Sequence, residues 1–229
     1  MTELLLADPS PALRLRVLVE LLDALADDPE VRDLAARRRR MPQVETLLAT
    51  DSRDLRQLSW ALCRLGFLGL DRSDRRVAAL AERVFERQSR NGSFPIAAFY
   101  RTKTESRYSM IPLQAAIPLR GVAAVGYATD PRAERGYDWL LDQRLDDGAW
   151  PLGIASGQPG YIAQYRRLPG SKGCRVNTEA ALAALALHPE RCTSDGARAA
   201  LDLLLQRETR DVVRPGCGST LSGRTSVAG

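Results

Sequence analysis

Residues 135–151, RGYDWLLDQRLDDGAWP, decide how this chain is read. Tyr137, Leu140 and Leu141 stand at i, i+3 and i+4, one side of a 3.6-residue period, which predicts the end of an amphipathic helix. Gln143 stands near that end. Asp146-Asp147-Gly148 is a stop-and-turn signal, because Gly takes the positive φ that other residues resist. Trp150 lands on the turn, and Pro151 can open whatever follows. A buried or half-buried Gln can donate and accept, so it can tie loop backbone to a helix end. A Trp beside it supplies a large apolar face. The stretch reads as a clasp between two helices.

The same clasp occurs earlier in weaker form. Residues 81–95 read AERVFERQSRNGSFP, so that Gln88 matches Gln143, Gly92 matches Gly148, Phe94 matches Trp150 and Pro95 matches Pro151. The two glutamines are 55 residues apart, longer than one helix pair, so the interval must carry extra loop. A third segment, 197–206 (ARAALDLLLQ), ends in Gln but lacks the Gly-x-aromatic. Self-similar helix–turn units predict a repeat architecture.

The pattern Arg-Gly-x-x-Trp-Leu-x-x-Gln-x4-Gly-x-Trp from Arg135 to Trp150 resembles the QW motif of the prenyltransferase/squalene-oxidase repeat family. That family includes terpene cyclases and the β-subunits of protein prenyltransferases. The resemblance implies an α/α toroid, a ring of helical hairpins around an apolar cavity. Here the ring is expected to be partial. The repeat domain is expected over residues 1–207. The Gly/Ser/Thr-rich end, 208–229, reads as a flexible tail.

Composition agrees with an all-α chain. Of 229 residues, 45% are hydrophobic but only 6% aromatic, and Ala, Leu and Arg dominate, which favours helices over a β-rich fold. Each hairpin of a ring buries itself against its neighbours, so one domain of this length is feasible. The net charge is +5, from 33 basic and 28 acidic residues. The one dense basic run, Arg37 to Arg40, has no interleaved aromatics, which argues against nucleic acid. No apolar stretch is long enough for a transmembrane helix, and the start carries no basic n-region. A cytoplasmic protein with four reduced cysteines is expected.

Along the chain, Ser10-Pro11 starts a helix predicted to reach about Ala26, with Leu15, Leu18, Val19, Leu22 and Leu25 on one face. Asp28-Pro29 starts its partner. Residues 50–54 stand where another clasp is expected, but its Gly and Trp are missing. The next helix, from about Leu55 to Leu65, carries Trp60 and Cys63, with Gly66 predicted as its cap. Helices follow from Arg75, from Pro112 and from Asp130-Pro131. The segment from Pro112 is apolar on all sides and reads as a kinked inner helix. Tyr108, Met110, Gln114 and Leu119 are therefore candidates to line a cavity. The glycine-rich stretch 152–173 would place Tyr161 and Tyr165 over its mouth.

The resemblance also says what to look for chemically. Class II cyclases use the middle Asp of Asp-x-Asp-Asp as the acid, and no such motif occurs here. The prenyltransferase zinc set needs Asp-x-Cys, which is also absent. What remains is Asp146 and Asp147 as the polar catalytic candidates of a transferase or isomerase. Cys174, His188 and Cys192 remain as candidate zinc ligands, with Cys217 further on. Their spacing, Cys-x13-His-x3-Cys-x24-Cys, is within reach of a tetrahedral site but lacks a tight Cys-x-x-Cys. Three functions follow as expectations: an apolar cavity for an isoprenoid or similar lipid, a non-catalytic module binding a protein partner, or a structural zinc module at 174–217.

Overall fold

The computed structural model describes residues 2–94, 96–97, 108–109, 112–151 and 173–210. The fold is all-α. Helices α1 (Thr2–Leu6), α2 (Pro11–Arg16) and α3 (Pro29–Arg39) form an N-terminal group, followed by α4 (Pro42–Leu48). Three hairpins then follow: α5 (Leu55–Phe67) with α6 (Arg75–Phe85), α7 (Pro112–Val122) with α8 (Pro131–Asp142), and α9 (Arg175–Leu185) with α10 (Asp195–Arg210). Most starts have the side-chain caps that the sequence offers. Ser10, Asp28, Asp54, Asp74 and Asp130 each accept a backbone N–H of the first turn.

The first member of each hairpin packs on the next: α5 lies along α7, and α7 along α9. The α5–α7 contact is parallel and close because it is made by small residues. A Cβ on Gly121 would meet the Ser59 carbonyl oxygen at 2.6 Å, and a Cβ on Gly66 would strike the Ala124 carbonyl. Helices α6, α8 and α10 cover the other side, and the main core fills the space between the two rows. Leu62, Leu119, Tyr137, Leu140, Trp150 and Leu185 are its larger fully buried members. The Tyr137 hydroxyl donates to the Ala184 carbonyl, joining α8 to α9 across the core.

The two clasp turns are congruent, with one difference. In the first, Ser89 N–H donates to Ser93 O, Gly92 N–H to Ser89 O, and Ser93 N–H to the Asn91 side chain. In the second, Leu145 N–H donates to Ala149 O, Gly148 N–H to Leu145 O, and Ala149 N–H to the Asp147 side chain. Both glycines have φ of 91°. The structural match is therefore 89 to 145, an offset of 56, which makes Arg144 and not Gln143 the counterpart of Gln88. Gln88 Nε2 donates to Gly92 O at 2.9 Å and to Arg132 O at 2.8 Å, stapling the end of α6 to the start of α8. The Arg144 guanidinium lies against Gly196 at the start of α10, where a Cβ would meet its Nη1 at 3.1 Å. The Gln143 side-chain oxygen, Oε1, is buried without a hydrogen-bond partner among the described residues. Trp150 does act as the clasp expects: its Nε1 donates to Leu140 O, its own N–H to Thr178 Oγ1, and Cys174 N–H returns to its carbonyl.

Residues 50–54 lack clasp glycine and aromatic, and another side chain supplies the tie. Arg83 reaches back from α6 to the carbonyls of Thr50 and Ser52 and to Asp51. Guanidinium–carboxylate pairs continue this lacing along the outer row. Arg76 pairs with Glu45 of α4, Arg132 with Glu82 of α6, and Arg191 with Glu134 and Asp138 of α8.

Three boundaries differ from the sequence reading. The helix from Pro11 does not reach Ala26: it ends in a π-helical turn, Val17–Leu21, and Leu22 and Leu25 are exposed. Gly66 does not cap α5. The helix passes through it, and Gly69 (φ 79°) closes the end, with Gly69 N–H bonded to Gly66 O and Leu70 N–H to Leu65 O. Gly66 is needed instead for the approach of α7. At the other end, α10 continues to Arg210, beyond the expected domain boundary at 207.

The chain's extended pairings, among the described residues, lie beside the clasps. Ile96–Ala97 pairs antiparallel with Tyr108–Ser109 just before α7, and Pro151 bridges Gly173 just before α9.

Candidate functional site

The face of α5, α7 and α9 turned away from the outer row is not filled. Ser59, Trp60 and Cys63 of α5, Ala116 and Arg120 of α7, and Ala180 of α9 help to line a hollow of about 100 Å³. Helical geometry explains the α5 contribution. Leu55, Leu58, Leu62 and Leu65 make the buried stripe, while Trp60 and Phe67 are out of phase with it and point the other way. Trp60 is 46% and Phe67 48% exposed, a large apolar area to leave on a helix that already has its own core stripe.

Arg120 links the two aromatics. Its guanidinium carbon is 5.9 Å from the Trp60 ring centroid and 5.7 Å from that of Phe67, near the limit of cation–π attraction. Among the described residues, no carboxylate pairs with Arg120. The Cys63 thiol stands beside it, buried at the base of the hollow. Burial pushes that thiol up from its ordinary value, outweighing the Arg120 and Arg64 charges, so Cys63 is a neutral apolar wall and not a nucleophile. Among the described residues, no imidazole or carboxyl group lines this hollow.

Leu119, expected to line the cavity, is fully buried on the side of α7 that meets α8. A Cβ on Gly136 of α8 would meet its Cδ2 at 2.8 Å, so it belongs to the core. Met110, Tyr161 and Tyr165 lie outside the described residues, as do the side chains of Tyr108 and Gln114.

No protein-family model matches the chain, and no curated protein matches it. Its chemistry must therefore be read from its own geometry.

Asp146 and Asp147 are exposed on the second clasp turn, where Asp147 accepts Ala149 N–H. The Gly148 of that turn packs on Ala199 of α10, placing both carboxylates in the outer row, away from the hollow. Asp147 holds the turn's shape.

The expected zinc set is not assembled. Cys174 immediately precedes α9 and His188 follows its end, so the eleven-residue helix separates them by roughly 16 Å at 1.5 Å per residue. Both His188 nitrogens are also occupied. Nδ1 accepts the N–H groups of Glu190 and Arg191, which places the proton on Nε2, and Nε2 donates to Glu134 at 2.8 Å. Cys192 is exposed and donates to Pro189 O. Among the described residues no group of three or more His, Cys, Asp or Glu could hold a metal ion.

What His188 does instead is structural. Its ring packs edge-on to Tyr137 at 5.0 Å, while Glu134 binds both His188 and Arg191. Burial alone would push the Glu134 carboxyl up, but those two bonds outweigh it and hold it below the usual carboxylate range. Burial pushes the Tyr137 hydroxyl well above its ordinary value, which keeps it a donor to Ala184.

Sequence reasoning missed Trp60, Phe67 and Arg120 as a group. The signal was present in α5: two aromatics on the side opposite its leucines. Only the packing of α7 shows that Arg120 joins them.

Proposed function

We propose that the α5–α7–α9 face receives the apolar chain of an isoprenoid or similar lipid. The protein would then be a terpene-cyclase/prenyltransferase-like helical repeat whose ring is incomplete. One observation carries this reading: Trp60 and Phe67, out of phase with the core stripe of α5, stand exposed beside a hollow formed by three successive first-row helices. The succession of three hairpins with two congruent clasp turns supports the repeat character. The hollow is a third or less of the roughly 300–1,000 Å³ that encloses a drug-sized ligand, so it would seat part of a chain against one wall. The role proposed is that of a receptor for such a chain, not of an acid catalyst. A cytoplasmic setting suits Cys63, Cys174 and Cys192, none of which is in a disulfide. No helix among the described residues is long and apolar enough to cross a membrane.

Trp60 provides the test. Of the three tryptophans, Trp139 and Trp150 are buried and Trp60 is half-exposed. Titration with farnesol should shift the exposed-tryptophan emission to the blue and protect it from acrylamide. The response should vanish in Trp60→Phe. An unchanged Trp60 signal at saturating farnesol would sink the reading.

A second reading is a protein-interaction module. Leu4, Leu21 and Leu25 of the N-terminal group are 79%, 60% and 72% exposed, which is the observation in its favour.

A further inference from the structure

Charge is divided unequally between the two helix rows. The Arg–carboxylate pairs that tie one element to another lie on the outer side: Arg76 with Glu45, Arg132 with Glu82, Arg191 with Glu134; the pair on α9, Arg175 with Glu179, stays within its own helix. Helices α5 and α7 contain no acidic residue at all, only Arg56, Arg64 and Arg120. Arg56 is bound to Asp54 at the helix start. Arg64 and Arg120 have no carboxylate partner among the described residues, and both are close enough to act electrostatically on the Cys63 thiol. Arg64 also stands on the Trp60–Phe67 side of α5, four residues after the first and three before the second. The lining of the hollow is otherwise apolar apart from Ser59, whose hydroxyl is already given to Leu55 O.

An apolar seat rimmed by two guanidinium groups that have no carboxylate partner among the described residues selects for a particular shape of ligand. A neutral hydrocarbon would cover Arg120 and remove water from it without replacing the lost hydration, which is costly for a cation. A ligand with an anionic head would return that interaction as charge-assisted hydrogen bonds. We infer that the occupant of this face is an anionic amphiphile, its apolar chain on Trp60 and Phe67 and its carboxylate or phosphate head on Arg120 and Arg64. The inference rests on the apolar-chain reading above and adds the chemistry of the head.

The test compares ligands with one chain and different heads: decanoate, decyl phosphate, decanol and decyltrimethylammonium, each below its micelle concentration, read by Trp60 emission. The two anions should bind about tenfold or more tighter than decanol, the scale of one charge-assisted bond at a partly exposed site. The cation should be weakest. Decyl phosphate ahead of decanoate would name a phosphate head, and the reverse a carboxylate. Arg120→Gln should remove the preference for anions, so that decanol and the two anions bind alike. Arg120→Lys should keep part of it, and Arg64→Gln on the exposed side should reduce it without disturbing the fold. Equal binding of decanol and both anions would overturn the inference and leave the apolar-chain reading standing. Equal protection by inorganic phosphate alone would overturn it too, because an anion site would then exist without the chain. No response to any decyl compound would end both.

Discussion

Gly121 is a residue at which a single methyl group decides packing. Its missing Cβ lets α7 lie so close to α5 that an added Cβ would stand 2.6 Å from the Ser59 carbonyl oxygen, and that oxygen belongs to a helix backbone that cannot rotate away. Gly121→Ala is expected to destabilise the fold by about 1–3 kcal/mol, the usual cost of overpacking, seen as a lower urea midpoint at unchanged slope. Gly126, at φ 90°, faces only the flexible Arg72 side chain, so its requirement is conformational and not steric. Sequence alone cannot separate these two uses of glycine. Gly66 shows the problem: it reads as a cap, yet the contact that fixes it comes from Ala124, more than fifty residues away. Trp60 shows the converse, since its angular position on α5 was legible from the order of residues alone.

At the scale of the element, the clasp is the unit that repeats, and its bonds assign the roles. Gln88→Ala removes two bonds and leaves the Gly92 and Arg132 carbonyls short of a donor, so a loss of about 1–3 kcal/mol is expected. Arg144→Ala should also cost stability, by loosening the start of α10. Gln143→Leu should be neutral or stabilising, because it removes a buried oxygen that has no partner. Chemical denaturation of the three variants checks the order. A large loss at Gln143 with none at Arg144 would restore the sequence alignment of the two motifs. That alignment failed for a physical reason: the turns are equal in length but Gln143 stands one residue further from its turn than Gln88 does, and side-chain roles follow the backbone bonds and not the letters. Helix starts were legible because the cap residue and the helix are neighbours in sequence. Cys174 and His188 stand apart because spacing along a chain says nothing of the helix between them.

For the whole molecule, the laced outer row sets the response to acid. Glu82 and Asp130 are held below their ordinary values chiefly by side-chain bonds from Arg132. Glu134 is held down by His188 and Arg191 against the opposing effect of burial. A carboxyl group depressed on folding adds stability above its unfolded value, near about 4, and loses it as pH falls through the folded value. The melting temperature should therefore stay level from pH 7 to about pH 5 and drop steeply below about pH 4. These pairs are a fifth to a half exposed, so each contributes little and the shape of the curve is the readout. Arg132→Ala should flatten the acid limb; an unchanged limb would mean that these pairs do not govern it. The helical class was visible in composition and in the clasp. The inner charge asymmetry was visible only once it was known which helices share a row.

The pairings beside the two clasps have a consequence for how such a chain can change. Ile96–Ala97 with Tyr108–Ser109, and Pro151 with Gly173, bring the chain back to the point it left before α7 and α9 begin. Each pairing therefore fixes the point from which the next helix sets out. Each doubling of a closed interval costs only about 0.6 kcal/mol, so the number of residues between the paired positions weighs little in the entropy of closing it. The same closure, repeated at the same place in successive hairpins, lets the supporting helices keep their register.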